Sequence, residues 1–255
     1  MEVHHHPHSH SHDNHQGANW KKYLWEFLML FLAVFCGFLA ELQVEKSIDS
    51  HKEKEYINSM IEDLGKDTSN FNTVAKAFAE NAKQFDFLIK EFNYGVKGNS
   101  TEWNGKFIKS VKVGFPDFFY TDRTIQQMKN SGGLRLIRNE AAAQGIINYD
   151  ASIKDLQLEL SFTSEVQTAF YNEVYNDWSL REMYKDLGIT NWDRNQNYKI
   201  IKSYWTIHEA KDFDLLFNKF VYYYEGTLFQ IRLMKKYNLQ AIELIELLKR
   251  EYHLE

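Results

Sequence analysis

Apolar positions follow three different patterns along this 255-residue chain. From Phe27 to Ala40, fourteen residues in succession are apolar or glycine, and with Tyr23, Leu24 and Trp25 the run reaches eighteen, broken only by Glu26. As a helix rising 1.5 Å per residue this covers about 27 Å, close to the ~30 Å hydrocarbon core of a bilayer. The run is apolar on every face, so it does not suit a surface groove. Trp20, Tyr23 and Trp25 gather at one end, where amphipathic rings favour the headgroup level. A cleavable signal needs a small-residue cleavage site, and "FLAELQVEK" offers Ala40 without an A-x-A pattern. A lipoprotein signal needs a small residue before its cysteine, where Phe35 stands before Cys36. A buried core helix would have to cover fourteen apolar residues all round. The pattern predicts an uncleaved transmembrane helix over residues 20–42.

Beyond Glu41 the spacing becomes a heptad. Ile57, Leu64, Phe71, Phe78, Phe85 and Phe92 are seven apart, and Ile61, Ala75, Ala82 and Ile89 are read as the complementary seam. Gly65 lies off the seam, on a face that tolerates it. The bridge "EKSIDSHKEKEY" is helix-compatible throughout, so the anchor is expected to run on into this helix. Residues 94–120, with four glycines and Pro116, read as an irregular connector with room for a short helix or strand pair. Thr121 or Asp122 is expected to cap a helix through "RTIQQMKN", stopped by Gly132 and Gly133. Ile146, Tyr149, Ile153, Leu156, Leu160, Phe170 and Val174 resume helical spacing, with Thr163 and Gln167 as polar interruptions. After a second break over 187–197, Phe213, Phe217, Phe220, Tyr224, Leu228, Ile231, Met234, Ala241, Ile245 and Leu248 trace one apolar face. The expected fold is all-α: one N-terminal transmembrane helix continuing into an elongated antiparallel helical bundle over 43–255.

Ahead of the apolar run, "HHHPHSHSHDNH" places His4, His5, His6, His8, His10, His12 and His15 in a segment without apolar periodicity. Residues 1–19 are therefore expected to be a disordered tail. Neutral imidazoles at this density give weak, promiscuous affinity for Zn²⁺, Ni²⁺ or Cu²⁺. No other cofactor is expected. Pro7, Ser9 and Ser11 interrupt the histidines, unlike a plain purification sequence.

Charge adds an address. The 30 basic and 35 acidic residues give a net charge of −5, without the basic stripe a phosphate backbone demands, so nucleic acid is excluded as an expected partner. Lys21 and Lys22 adjoin the N-terminal end of the apolar run, whereas Glu41 and Glu45 open its other flank. Within about 15 residues the run has two lysines before it and three after it (Lys46, Lys52 and Lys54), which leaves the positive-inside rule undecided. The lysines adjoining the run favour a cytoplasmic N-terminus and a periplasmic C-terminal domain, across a bacterial inner membrane. Glu26 lies four residues from Lys22, where it can pair with that lysine or reach the headgroups. The single cysteine, Cys36, rules out a disulfide framework or Cys-based zinc site in the domain.

Recognisable catalytic chemistry is missing. "LGKDTS" has a Gly-Lys pair followed by Thr68, but Met60 stands where a P-loop needs its first glycine. "HEAK" at His208 lacks the second histidine of a zincin helix, and His51, His208 and His253 are too sparse for a metal centre. Paired acids such as Glu62 and Asp63 read as surface charge, and Tyr222, Tyr223 and Tyr224 as core and interface filling.

The stretch Trp20–Thr68, with "TIQQMKNSGGLRLIRN" and "IINYD", resembles an uncharacterised family of single-pass membrane proteins common in Bacteroidota, a domain of unknown function. The resemblance runs from about Trp20 to the C-terminus. It implies an inner-membrane anchor followed by an all-helical domain, and carries no catalytic residues with it.

Three functions follow. The first is a non-enzymatic, membrane-anchored interaction, sensory or scaffold module that engages a protein partner or itself through its helices. The second is divalent-metal handling by the histidine tail. The third, a membrane-bound hydrolase, predicts a polar cleft with converging titratable groups.

Overall fold

The computed structural model describes residues 19–93, 101–112, 118–176, 178–190, 202, 204 and 210–254. The expectations for the histidine tail and for most of the second break fall outside these residues. Among the described residues there are six α-helices, one 3₁₀ turn and no strand: α1 (Asn19–Asn93), α2 (Thr101–Lys112), α3 (Arg123–Ser131), the turn Gly133–Leu136, α4 (Glu140–Asn176), α5 (Leu180–Asp186) and α6 (Ala210–Tyr252). The chain divides into two units, Met1–Lys52 and Glu53–Glu255.

In the first unit, the helix carries Trp20, Phe27, Met29, Leu30, Val34 and Phe38 more than half exposed, and nothing in an eighteen-residue apolar window is buried. That excludes the buried-core-helix reading of this stretch. Cys36 is exposed with its neighbours.

In the second unit the long helices follow a strict three-four spacing. On α1 the buried positions are Glu53, Ile57, Met60, Leu64, Asp67, Phe71, Val74, Phe78, Asn81, Phe85 and Leu88, with Asp63 and Ala82 buried beside them. The expected first seam is correct. Of the expected complement Ile61, Ala75, Ala82 and Ile89, only Ala82 is buried and the other three are half-buried; the second seam is Glu53–Met60–Asp67–Val74–Asn81–Leu88, in which polar and apolar residues alternate. A seam with a polar residue at every second heptad position shows no hydrophobic period, which hides it from a pattern search. Thr163 and Gln167, read as interruptions on α4, likewise continue its buried seam, and Leu216, Tyr223, Thr227, Gln230, Tyr237 and Leu244 replace the flanking positions expected on α6. Gly65 is exposed, as its position off the seam implies.

Two apolar clusters result. One joins Ile57–Phe78 of α1 to Ile125 and Met128 of α3, Ala142–Leu156 of α4 and Leu233–Leu248 of α6. The other joins Phe85 and Leu88 of α1 to Trp103 and Phe107 of α2, Phe170 and Val174 of α4, Met183 of α5 and Leu216–Tyr223 of α6. Helices α1 and α4 pass through the clusters in the same order, and α6 in the reverse order. The connector holds a full helix, α2, whose Trp103 ring stacks on Phe107 at 5.6 Å and whose indole N–H donates to the Leu88 carbonyl at 3.1 Å.

Glycine acts at two places. Gly132 closes α3 in the left-handed conformation at φ 69°, as its place after "RTIQQMKN" predicts. Gly133 lies so close to the Tyr56 ring that a Cβ would meet it at 2.7 Å.

Candidate functional site

Among the described residues four acids lie in the interior: Glu53, Asp63, Asp67 and Asp150, exposed by 7, 1, 1 and 6%. A buried carboxylate survives only if its lone pairs are occupied, and each of these is. Asp122 stands at the N-cap of α3 but makes no capping bond. Asp63, on α1, supplies the acceptor instead. The Thr124 amide donates to its Oδ2 at 3.0 Å, the Thr124 hydroxyl donates to the same oxygen, and the Arg123 guanidinium donates to Oδ1 at 2.8 Å. Negative charge at a helix N-terminus is also favoured by the helix dipole. Asp63, read as surface charge with Glu62, is thus a buried capping residue, because the heptad turns its side chain inward while Glu62 stays exposed.

One turn further along α1, Asp67 accepts from the Thr121 amide at 2.8 Å and the Tyr149 hydroxyl at 2.9 Å. Burial pushes its pKa up; the donors from Thr121 and Tyr149 oppose that shift, and the nearby Asp63 charge adds to it. Asp150 behaves oppositely. Burial would raise it, but the Lys129 ammonium at 2.6 Å and the Lys154 ammonium at 3.0 Å outweigh that and hold it below the usual value. Glu53 accepts from the Arg138 amide at 2.7 Å and the Tyr252 hydroxyl at 2.6 Å. Asn139 caps α4 by accepting from the Ala142 amide at 2.9 Å, and donates to Glu251 of α6 at 2.8 Å.

Together these groups tie the segment 120–139 to the long helices at its entry, middle and exit. Tyr149, Tyr120 and Tyr252 are all pushed above the ordinary phenol value, chiefly by burial. The Tyr120 hydroxyl is buried with no hydrogen-bond partner among the described residues. Such an orphan costs on the order of 1–3 kcal/mol. A groove of about 250 Å³ is lined by residues that include Gly145, Asn148, Tyr149, Ser152, Gln240 and Glu243, and among the four buried acids none lines it. Titratable groups therefore converge, as a hydrolase would require, but their acceptor atoms are committed to backbone amides, phenols and ammonium groups.

A second polar set lies between the apolar clusters. The Gln167 amide donates to Gln230 at 3.1 Å, Asn81 donates to the Tyr223 hydroxyl at 3.4 Å, and the Tyr171 and Tyr223 hydroxyls are 3.3 Å apart. Thr163 and Thr227 return their hydroxyls to carbonyls of their own helices. The Tyr222–Tyr224 run divides: Tyr222 is exposed, Tyr223 buried and Tyr224 half-buried.

The metal candidates His4, His5, His6, His8, His10, His12 and His15 lie outside the described residues, as does His208. His51 and His253 are exposed, and no group of three or more His, Cys, Asp or Glu with metal-binding geometry occurs among the described residues. The buried acids carry no legible signal, because the step from Glu53 to Asp67 to Asn81 interleaves with Met60, Val74 and Leu88 and shows no hydrophobic period. Comparison with family models, curated proteins and solved structures finds no match to this chain.

Proposed function

We propose that the chain is a single-pass membrane protein whose helical domain acts as a non-enzymatic interaction, sensory or scaffold module. The observation carrying this reading is the segment 27–40, apolar on all faces, with no buried residue in the most apolar window of its helix. A surface of that extent is favourable only if something covers it, and its length suits a bilayer. The domain is read as an antiparallel bundle, with α6 running against α1 and α4, supported by the shared clusters. The lysine pair Lys21–Lys22 favours a cytoplasmic N-terminus and a periplasmic domain, and the resemblance to the Bacteroidota family favours an inner-membrane anchor.

Membrane fractionation tests the anchor: the protein is expected to stay with the membranes through alkaline carbonate washing and to be released by detergent. Release by carbonate alone would refute it. A C-terminal reporter active only outside the cytoplasm tests the orientation.

A second reading, divalent-metal handling, is favoured by seven histidines within the first fifteen residues. Deleting residues 2–19 is expected to abolish Ni²⁺ or Zn²⁺ binding by the purified protein. Metal content and cellular phenotype unchanged by that deletion would end it.

A further inference from the structure

The stretch from Phe118 into α3 lies along two turns of α1, and its contacts descend that helix in order. The Phe118 ring stacks on Phe71 at 4.4 Å, and the Phe119 carbonyl accepts from the Asn70 amide at 2.7 Å. The Thr121 amide donates to Asp67 at 2.8 Å, and the Thr124 amide donates to Asp63 at 3.0 Å. Asp67 is therefore the carboxylate under the middle of this strap. Beyond it, Gly133 packed against the Tyr56 ring and the Arg138 amide held by Glu53 fix the far end.

The charges under the strap are unevenly matched. Asp63 has Arg123 at 2.8 Å and Lys66 at 4.0 Å, and Asp150 on α4 has Lys129 and Lys154. Asp67, equally buried, makes no ion pair among the described residues. Its donors are neutral: the Thr121 amide and the Tyr149 hydroxyl. The connector adds Tyr120 and Asp122, which are not cations, and of the buried residues that α6 brings to this cluster only Tyr237 titrates. Desolvation and the neighbouring Asp63 charge thus both act against an ionised Asp67.

A second group under the strap also lacks what water would give it. The Tyr120 ring lies 6.2 Å from that of Tyr149, and its hydroxyl is buried with no hydrogen-bond partner among the described residues. Lifting the strap hydrates both the Asp67 carboxylate and the Tyr120 hydroxyl. The first gain depends on protonation and the second does not, so the two can be separated.

We propose that residues 118–128 form a proton-controlled strap, closed over Asp67 while this carboxyl is neutral and opening locally as it ionises. The direction follows from linkage. The closed form binds the proton more tightly than the open form, so closure is complete at low pH and is lost as pH rises through the value of the closed form. Between the ordinary carboxyl value near 4 and that higher value, each pH unit raises the opening constant by up to about tenfold, after which it levels off. The strap gives the sensory reading a stimulus, proton activity, and rests on that reading for its use.

The test is hydrogen exchange of the full chain in nanodiscs from about pH 4.5 to 7.5, corrected for the intrinsic rate of each amide. Protection over 120–128 is expected to fall with pH by up to about tenfold per unit. At neutral pH these amides should exchange ahead of those in α2 and respond little to dilute urea, as local opening requires. Asp67→Asn, a neutral mimic of the protonated form, is expected to abolish the pH dependence. Tyr120→Phe should raise protection at every pH and leave the slope intact. Asp150→Asn should lower protection and also keep the slope, since the charge on Asp150 is already complete over this range. Protection over 120–128 that is independent of pH in the unmodified protein, or equal to that of α2, would overturn the proposal. So would a slope that survives Asp67→Asn or disappears in Asp150→Asn. A flat pH profile in a protein that resists carbonate extraction would sink the strap and leave the membrane-module reading standing. Release by carbonate with the slope intact would do the reverse.

Discussion

Around Leu64, Ile146 and Leu248 the interior is mainly aliphatic, and its polar atoms are carboxylates that hold backbone amides. Around Trp103, Phe170 and Phe220 it is mostly rings: Phe85, Phe170, Phe220 and Tyr223 meet one another with centroids 4.4–6.2 Å apart. The two ends solve one problem differently. The aliphatic end must secure a long returning segment, 120–139, and does so with directional bonds from α1. The aromatic end fills the space beside α2 and α5 with large side chains whose burial is non-directional. Packing there depends on volume; at the other end it depends on the position of a few oxygens.

The sharpest break of that comparison removes volume from the aromatic end. Trp103→Ala is expected to cost about 3–5 kcal/mol, since it opens a large cavity and strands the Leu88 carbonyl. Thermal unfolding followed by circular dichroism in detergent reads this as a large fall in Tm, and an unchanged midpoint would show that the ring is not part of a packed core.

Next in size is Asp63→Ala, expected to cost about 2 kcal/mol because it leaves the buried Thr124 amide and hydroxyl without their acceptor, while the exposed Arg123 keeps Glu62 at 3.8 Å. Hydrogen exchange should rise over 120–131 before it rises around Trp103. Uniform acceleration across both clusters would contradict a local clamp.

Gln167→Leu combined with Gln230→Leu replaces a buried hydrogen-bonded pair by apolar volume. The expected change is below about 1 kcal/mol, of either sign. A drop of several kcal/mol would mean that the polar layer holds the two clusters together rather than merely separating them.

The smallest effect is in pH dependence, where two acids of the aliphatic end act with opposite sign. Asp150 is held below the ordinary value, so its contribution is complete above the unfolded pKa near 4 and is lost as pH falls through the lower folded value. Asp67 is held above it, so its contribution is complete at low pH and declines as pH rises through the folded value. Melting curves between about pH 3 and 7 should therefore show Asp150→Asn flattening the acid limb and Asp67→Asn flattening the decline towards neutrality. Identical curves for the two variants would refute the assignment.

How much of this could be read from residues alone varies with the kind of residue. Leu64, Phe71, Phe78 and Phe85 announce one seam because a heptad of large apolar side chains has no other economical placement. The helix from Arg123 to Ser131 is legible from Gly132, since a left-handed stop strongly favours glycine. Asp63, Asp67 and Glu53 are not legible as buried, because an acid inside a helix is ordinarily solvated. Its inward turn becomes favourable only when Thr124, Thr121 and Arg138 bring amides to meet it. The helix α2 falls where the sequence left a short helix or a strand pair open, because Gly105 and Asn104 read as turn formers until Trp103 and Phe107 find a core to enter.

The sequence alone determined the helical class, the apolar segment over 27–40, the first α1 seam and the stop at Gly132. Each follows from local periodicity or from a backbone preference that needs no partner. Tertiary structure decided the alternating second seam, the clamps on 120–139 and the polar layer between the clusters. These depend on which distant donor meets each acceptor, and the contacts of Asp67 with Thr121 and Tyr149 join positions 54 and 82 residues apart. No window of sequence contains that pairing.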